Sequence, residues 1–180
     1  MAHHVAKQGY RNLVDRLNRF PQGAPPSGLL YQILEILFTE KEAELVSQLP
    51  IRPFTAQKAA EVWKMSPDKA RQALDELASR AVLVDIIQNG TTHYVLPPPM
   101  AGFFEFSMMR IRSDIDQKLL GELFYEYLNV EEDFIKDLFT VGETQLGRVF
   151  VHEPVLSNDN AAHVLDYERA SEVIQTASHM

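Results

Sequence analysis

The sequence predicts a mainly α protein with a small β-hairpin, an α+β chain. Three observations carry that expectation. Residues 55–81 read as two helices joined by a sharp turn: Thr55 and Ser66 stand at cap positions, and Pro67 takes a first helical position, where its missing N–H is no loss. Residues 82–87 and 92–96 are rich in β-branched residues, and Asn89-Gly90 between them suits a type I′ turn. Apolar residues then recur at helical spacing from residue 100 to residue 139. Helix, turn, helix and hairpin in that order give a winged helix-turn-helix, followed here by a helical C-terminal region.

In chain order, three regions are expected: an N-terminal amphipathic arm (1–26), a winged-helix domain (27–97) and a helical extension (98–180). The arm sets Tyr10, Leu13, Val14, Leu17 and Phe20 on one side and Arg11, Arg16 and Arg19 on the other. Pro21, Pro25 and Pro26 break it, and Ser27 then caps a central helix striped by Leu30, Ile33, Leu34 and Leu37. Thr39 and Glu42 have capping-box spacing and open a helix carrying Ala43, Val46 and Leu49, which Pro50 and Pro53 end. In the helix that Pro67 starts, Ala70, Leu74, Leu77 and Ala81 face the core. Lys69, Arg71, Gln72, Asp75, Glu76 and Ser79 are left outside.

Pro97, Pro98 and Pro99 fix an extended path. Beyond them Met100, Phe103, Phe104, Phe106, Met108, Met109 and Ile111 predict a helix that is apolar nearly all round. The capping-box spacing of Ser113 and Asp116 opens a helix with Leu119, Leu120, Leu123, Phe124, Tyr127 and Leu128. An acid-led helix follows from Glu131, with Phe134, Ile135, Leu138 and Phe139 as its core face and Gly142 after its end. Alternation of Val149 and Val151 marks a strand over 147–153, Ser157 to Asn160 read as a loop, and Asp166 caps a last helix over 167–177.

The 180 residues are 46% hydrophobic and 23% charged, the composition of an ordinary globular protein. Basic residues number 17 against 25 acidic, and the net charge of -8 opposes general adhesion to nucleic acid or anionic membrane. With no cysteine, the chain has neither disulfides nor thiolate metal sites. No apolar run reaches the ~18 residues of a membrane span, and the start lacks a signal-peptide core. A cytoplasmic location without membrane contact is the expectation.

No Gly-rich phosphate loop, Gly-x-Ser-x-Gly elbow or His-Glu-x-x-His pair is present, so enzymatic activity is not expected. The histidines are scattered and the adjacent carboxylates Asp75-Glu76 diverge on a helix, which leaves no metal set and no paired acid and base. A helix-turn-helix raises DNA contact, through Lys69, Arg71, Gln72 and His93, as the alternative reading of a transcriptional regulator. Yet residues 54–96 pair Lys58, Lys64, Lys69, Arg71 and Arg80 against Glu61, Asp68, Asp75, Glu76 and Asp85, and this neutrality ranks DNA below protein contact. For the apolar run after the prolines two readings stand: a helix buried inside the fold, or an interface for a homodimer or a docked domain made by Phe103, Phe104, Phe106, Met108 and Met109.

Two stretches carry a family resemblance. Phe104-Glu105-Phe106-Ser107-Met108-Met109-Arg110, behind the proline-rich break, and Val164-Leu165-Asp166-Tyr167-Glu168-Arg169-Ala170 resemble a bacterial ferredoxin-type iron–sulfur protein family. The similarity runs from Tyr10 through Ala177. Members of that family have an N-terminal winged-helix region followed by a cysteine-rich four-iron four-sulfur domain. The resemblance implies that these residues are the amino-terminal half of a longer electron-transfer protein, with clusters in the longer parent and redox proteins as its partners. The family's cluster-ligating cysteines would follow a helix like that at 167–177, where this chain ends, so no ligand and no cofactor is carried over to it. The implied role of this half is a non-catalytic scaffold that selects partners.

Overall fold

A computed structural model describes residues 7–20, 22–140 and 167–176. The fold is mainly helical with a small three-stranded antiparallel sheet. Two compact units divide the chain, residues 1–146 and residues 147–180. The first runs α1 (Gln8–Leu17), α2 (Gly28–Leu37), α3 (Glu40–Ser47), β1 (Phe54–Thr55), α4 (Ala56–Trp63), α5 (Pro67–Ser79), β2 (Val84–Gln88), β3 (Thr91–Val95), α6 (Phe104–Met109), α7 (Gln117–Tyr125) and α8 (Glu132–Thr140). The second unit contributes α9 (Tyr167–Thr176), on which Tyr167 and Ile174 are exposed.

Local sequence explains most of the starts. Ser27 Oγ accepts from the Leu30 N–H, Thr55 Oγ1 from the Lys58 N–H, and Thr39 with Glu42 completes a reciprocal capping box. Ser66 sits at the N-cap of α5 with extended backbone, but its side chain makes no capping bond, and Pro67 supplies the restart by itself. The turn between α4 and α5 closes on Lys64 in the left-handed region, with the Met65 N–H donating to Ala60 O, a Schellman-type stop made without glycine. Asn89 and Gly90 both have positive φ, as the hairpin turn requires.

One core gathers the described part of the first unit. The α2 stripe Leu30, Ile33, Leu34 and Leu37 is fully buried in it, together with Leu13 and Leu17 of α1, Val46 of α3, Leu74 of α5 and Phe103. The arm is thus part of this core, α1 packing along α3. In the sheet, β3 is central: Tyr94 pairs with Phe54 on one side and Asp85 on the other.

Several expectations are corrected. Phe54-Thr55 forms a third strand, too short to carry any alternation that sequence reading can detect. Helix α5 ends at Ser79, and Ala81 turns the chain at φ 57 instead of closing the helical stripe. The helix expected over 100–111 is a kinked segment, Pro99–Phe103, followed by six helical residues. There the chain doubles back so tightly that a Cβ on Gly102 would stand 3.1 Å from the Pro97 side chain, while Glu105 accepts from the Ala101 and Gly102 N–H groups. Helix α7 is capped by Asp116, which accepts from the Leu119 N–H, three residues beyond the expected Ser113. Arg16 leaves the expected solvent face and is fully buried. Its Nε and Nη2 donate to Leu49 O (3.0 Å) and Pro50 O (2.6 Å), satisfying carbonyls just past the end of α3. The strand at 147–153, the loop at 157–160, Gly142 and the Asp166 cap lie outside the described residues.

Candidate functional site

The five apolar residues singled out behind the hairpin do not share one surface. Phe103 and Phe104 are core, Phe106 is half-buried, and Met108 and Met109 are 38% and 75% exposed. Phe104 is the centre of an aromatic cluster: its ring centroid lies 4.7 Å from Phe103, 4.9 Å from Phe124 and 6.0 Å from both Tyr127 and Phe134. Phe103 is therefore corrected from an interface anchor to a packing residue, and Phe104 is mainly one, because the kink at Pro99–Phe103 turns both rings inward and leaves Phe104 only an edge at the surface. Six residues of helix cannot bury every side chain, and Met108, Met109 and, just past the end, Ile111 are left on the outside.

The exposed side of that cluster is a groove of about 320 Å³ between α6 and the end of α7 with the wider helical turn Glu126–Val130 that follows it, lined by Phe104, Glu105, Met108, Phe124 and Leu128. Gly121 faces Met108 across the two elements, where a Cβ would make an ordinary van der Waals contact with the Met108 methyl at 3.6 Å. Phe124 and Leu128 are members of the groove that sequence reading does not assign to it. Their spacing of four marks one face of a helix, but nothing local says which face opens onto α6. Tyr127, buried against Phe104, donates its hydroxyl to Pro25 O at 2.9 Å, across 102 residues of chain. Burial raises its pKa above the ordinary tyrosine value, and the nearby carboxylates Glu131, Asp137 and Asp133 push it further.

The alternative set, Lys69, Arg71, Gln72 and His93, is split between two elements. Lys69, Arg71 and Gln72 are exposed on α5, among the carboxylates Asp68, Asp75 and Glu76. Asp75 accepts the Tyr94 hydroxyl, which ties α5 to the central strand. His93, half-buried, neighbours Tyr94 on β3, and strand alternation turns adjacent side chains to opposite faces. With Tyr94 on the α5 side, His93 points away from it, and its Nδ1 lies 3.2 Å from Thr91 O. Arg80, at the end of α5, is held by Glu42 and so adds nothing to the basic face.

No described helix is long and apolar enough to cross a membrane. No family model, curated protein or solved structure matches the chain.

Proposed function

We propose that this chain is a non-catalytic scaffold in which a winged helix serves as a building block and the helical region behind it makes contact with another protein. The observation that carries the reading is the groove beside Met108: apolar side chains at an open surface, braced from beneath by a packed aromatic cluster. The winged-helix reading is supported by the order β1, α4, α5, β2, β3 and by the sheet order β1-β3-β2. The resemblance noted in the sequence extends the proposal to a ferredoxin-type electron-transfer protein. The chain has no cysteine to offer a four-iron four-sulfur cluster, so no step involving one is assigned to these residues.

The helix-turn-helix order also favours a second reading, DNA binding through α5. Against it stands the composition of that helix's exposed face, where Lys69 and Arg71 are outnumbered by Asp68, Asp75 and Glu76. Fluorescence anisotropy with a labelled duplex at low ionic strength tests the choice. The scaffold reading predicts no binding. Salt-dependent binding lost in Lys69→Ala and Arg71→Ala would establish the DNA reading in its place.

A further inference from the structure

The chain's charge is segregated in a way that bears on what fits the groove. Residues 1–97 hold eleven basic and ten acidic side chains, whereas residues 98–140 hold four basic and nine acidic. The groove's own region thus carries five of the eight net negative charges. Three of its four cations already face carboxylates: Arg112 on Asp114, Lys118 on Glu122 and Lys136 on Glu132. Glu126, Glu131, Asp133 and Asp137 remain outside any salt bridge found among the described residues. Glu105 lines the groove itself, and Glu131, Asp133 and Asp137 act on Tyr127, whose ring packs 6.0 Å from that of Phe104.

We propose that the groove formed by Phe104, Met108, Phe124 and Leu128 receives a basic amphipathic helix from a partner protein, its apolar stripe seated on those residues and its Lys and Arg side chains meeting the surrounding carboxylates. This rests on the protein-contact reading and names the chemistry of the partner. The apolar floor supplies a seat for side chains at i, i+3 and i+4 of one helical face, and methionine adapts to their shape. The acidic surroundings select the sign of the opposite face and speed encounter. A second copy of this chain fits poorly, because two-fold contact would bring the same acidic surface against itself.

The test uses the full chain and three labelled helical peptides: one with Leu and Phe at i, i+3, i+4 and i+7 and Lys or Arg elsewhere, the same peptide with Glu replacing the cations, and a scrambled peptide of the first composition. The basic amphipathic peptide is expected to bind at least about tenfold tighter than either control. Met108→Lys, which removes an apolar contact and adds a repelling cation, is expected to abolish the difference, and Met109→Lys provides a second variant at a position too exposed to affect folding. Equal binding of the scrambled peptide would overturn the groove in favour of charge alone. If light scattering showed a dimer sensitive to Met108→Lys and the peptide did not bind, the basic partner would be ruled out while the protein-contact reading stood. A monomer that binds none of the three would remove both.

Discussion

Arg16 is the residue on which the arm depends. A guanidinium with no exposed surface is costly unless its donors are used, and here two of three nitrogens serve Leu49 O and Pro50 O while Nη1 has no hydrogen-bond partner among the described residues. Burial, with Arg19 nearby, lowers its pKa to about 10, so it remains a cation at neutral pH. Replacing it with alanine strands both carbonyls, and a loss of about 2–4 kcal/mol is expected in urea titrations. Lysine, without the planar fork that spans two acceptors, should recover less than half of that loss. Tyr94 gives a pH prediction with a definite sign. Burial first, then the hydrogen bond to Asp75, pushes its hydroxyl up to about 12 from an ordinary value of 10.0. A raised folded-state pKa means stability that is complete below pH 10 and is lost as pH climbs from 10 to 12. Melting temperatures followed over that window should fall less steeply in Tyr94→Phe than in the parent. Tyr10 and Tyr127, also shifted upward, keep part of the slope in the variant.

At the scale of elements, the division of labour along α6 decides what the apolar run behind the prolines is for. Phe104 touches four other rings, and its truncation to alanine is expected to cost about 3–5 kcal/mol by chemical denaturation. Met109→Asp, at a side chain three-quarters exposed, should move stability by less than about 0.5 kcal/mol. Equal costs at the two positions would contradict the assignment of one to the core and the other to the surface. Caps and stripes are legible in the sequence because they are local: Thr39 and Glu42 are three residues apart, and Leu30, Ile33, Leu34 and Leu37 repeat within one helix. What escapes sequence reading is set by partners far along the chain. Arg16 looks like a solvent-face cation until α3 places two carbonyls against it. Phe103 and Phe104 look like part of an all-round apolar helix until the Pro99–Phe103 kink directs them inward. The groove is legible only in half, since α6 can be picked out by its composition whereas Phe124 and Leu128 become part of it only through packing.

At the scale of the first unit, the α4–α5 pair, the sheet and α1 share one core among the described residues, and residues 98–140 carry an acidic excess. The outer face of the α4–α5 pair is nearly neutral, and on the reading proposed above that pair is a structural support while the apolar opening is where an oppositely charged partner docks. The methionines report on both surfaces: Met108 lines the groove with Met109 next to it in the chain, and Met65 stands in the turn between α4 and α5. The most direct test is therefore a methyl NMR spectrum of the full chain labelled at the methionine methyl groups, titrated first with the basic amphipathic peptide and then with duplex DNA at low salt. The account predicts that the peptide shifts the Met108 and Met109 signals and leaves Met65 in place, and that DNA moves none of the three. A Met65 signal that responds to DNA, with Met108 and Met109 silent towards the peptide, would contradict it.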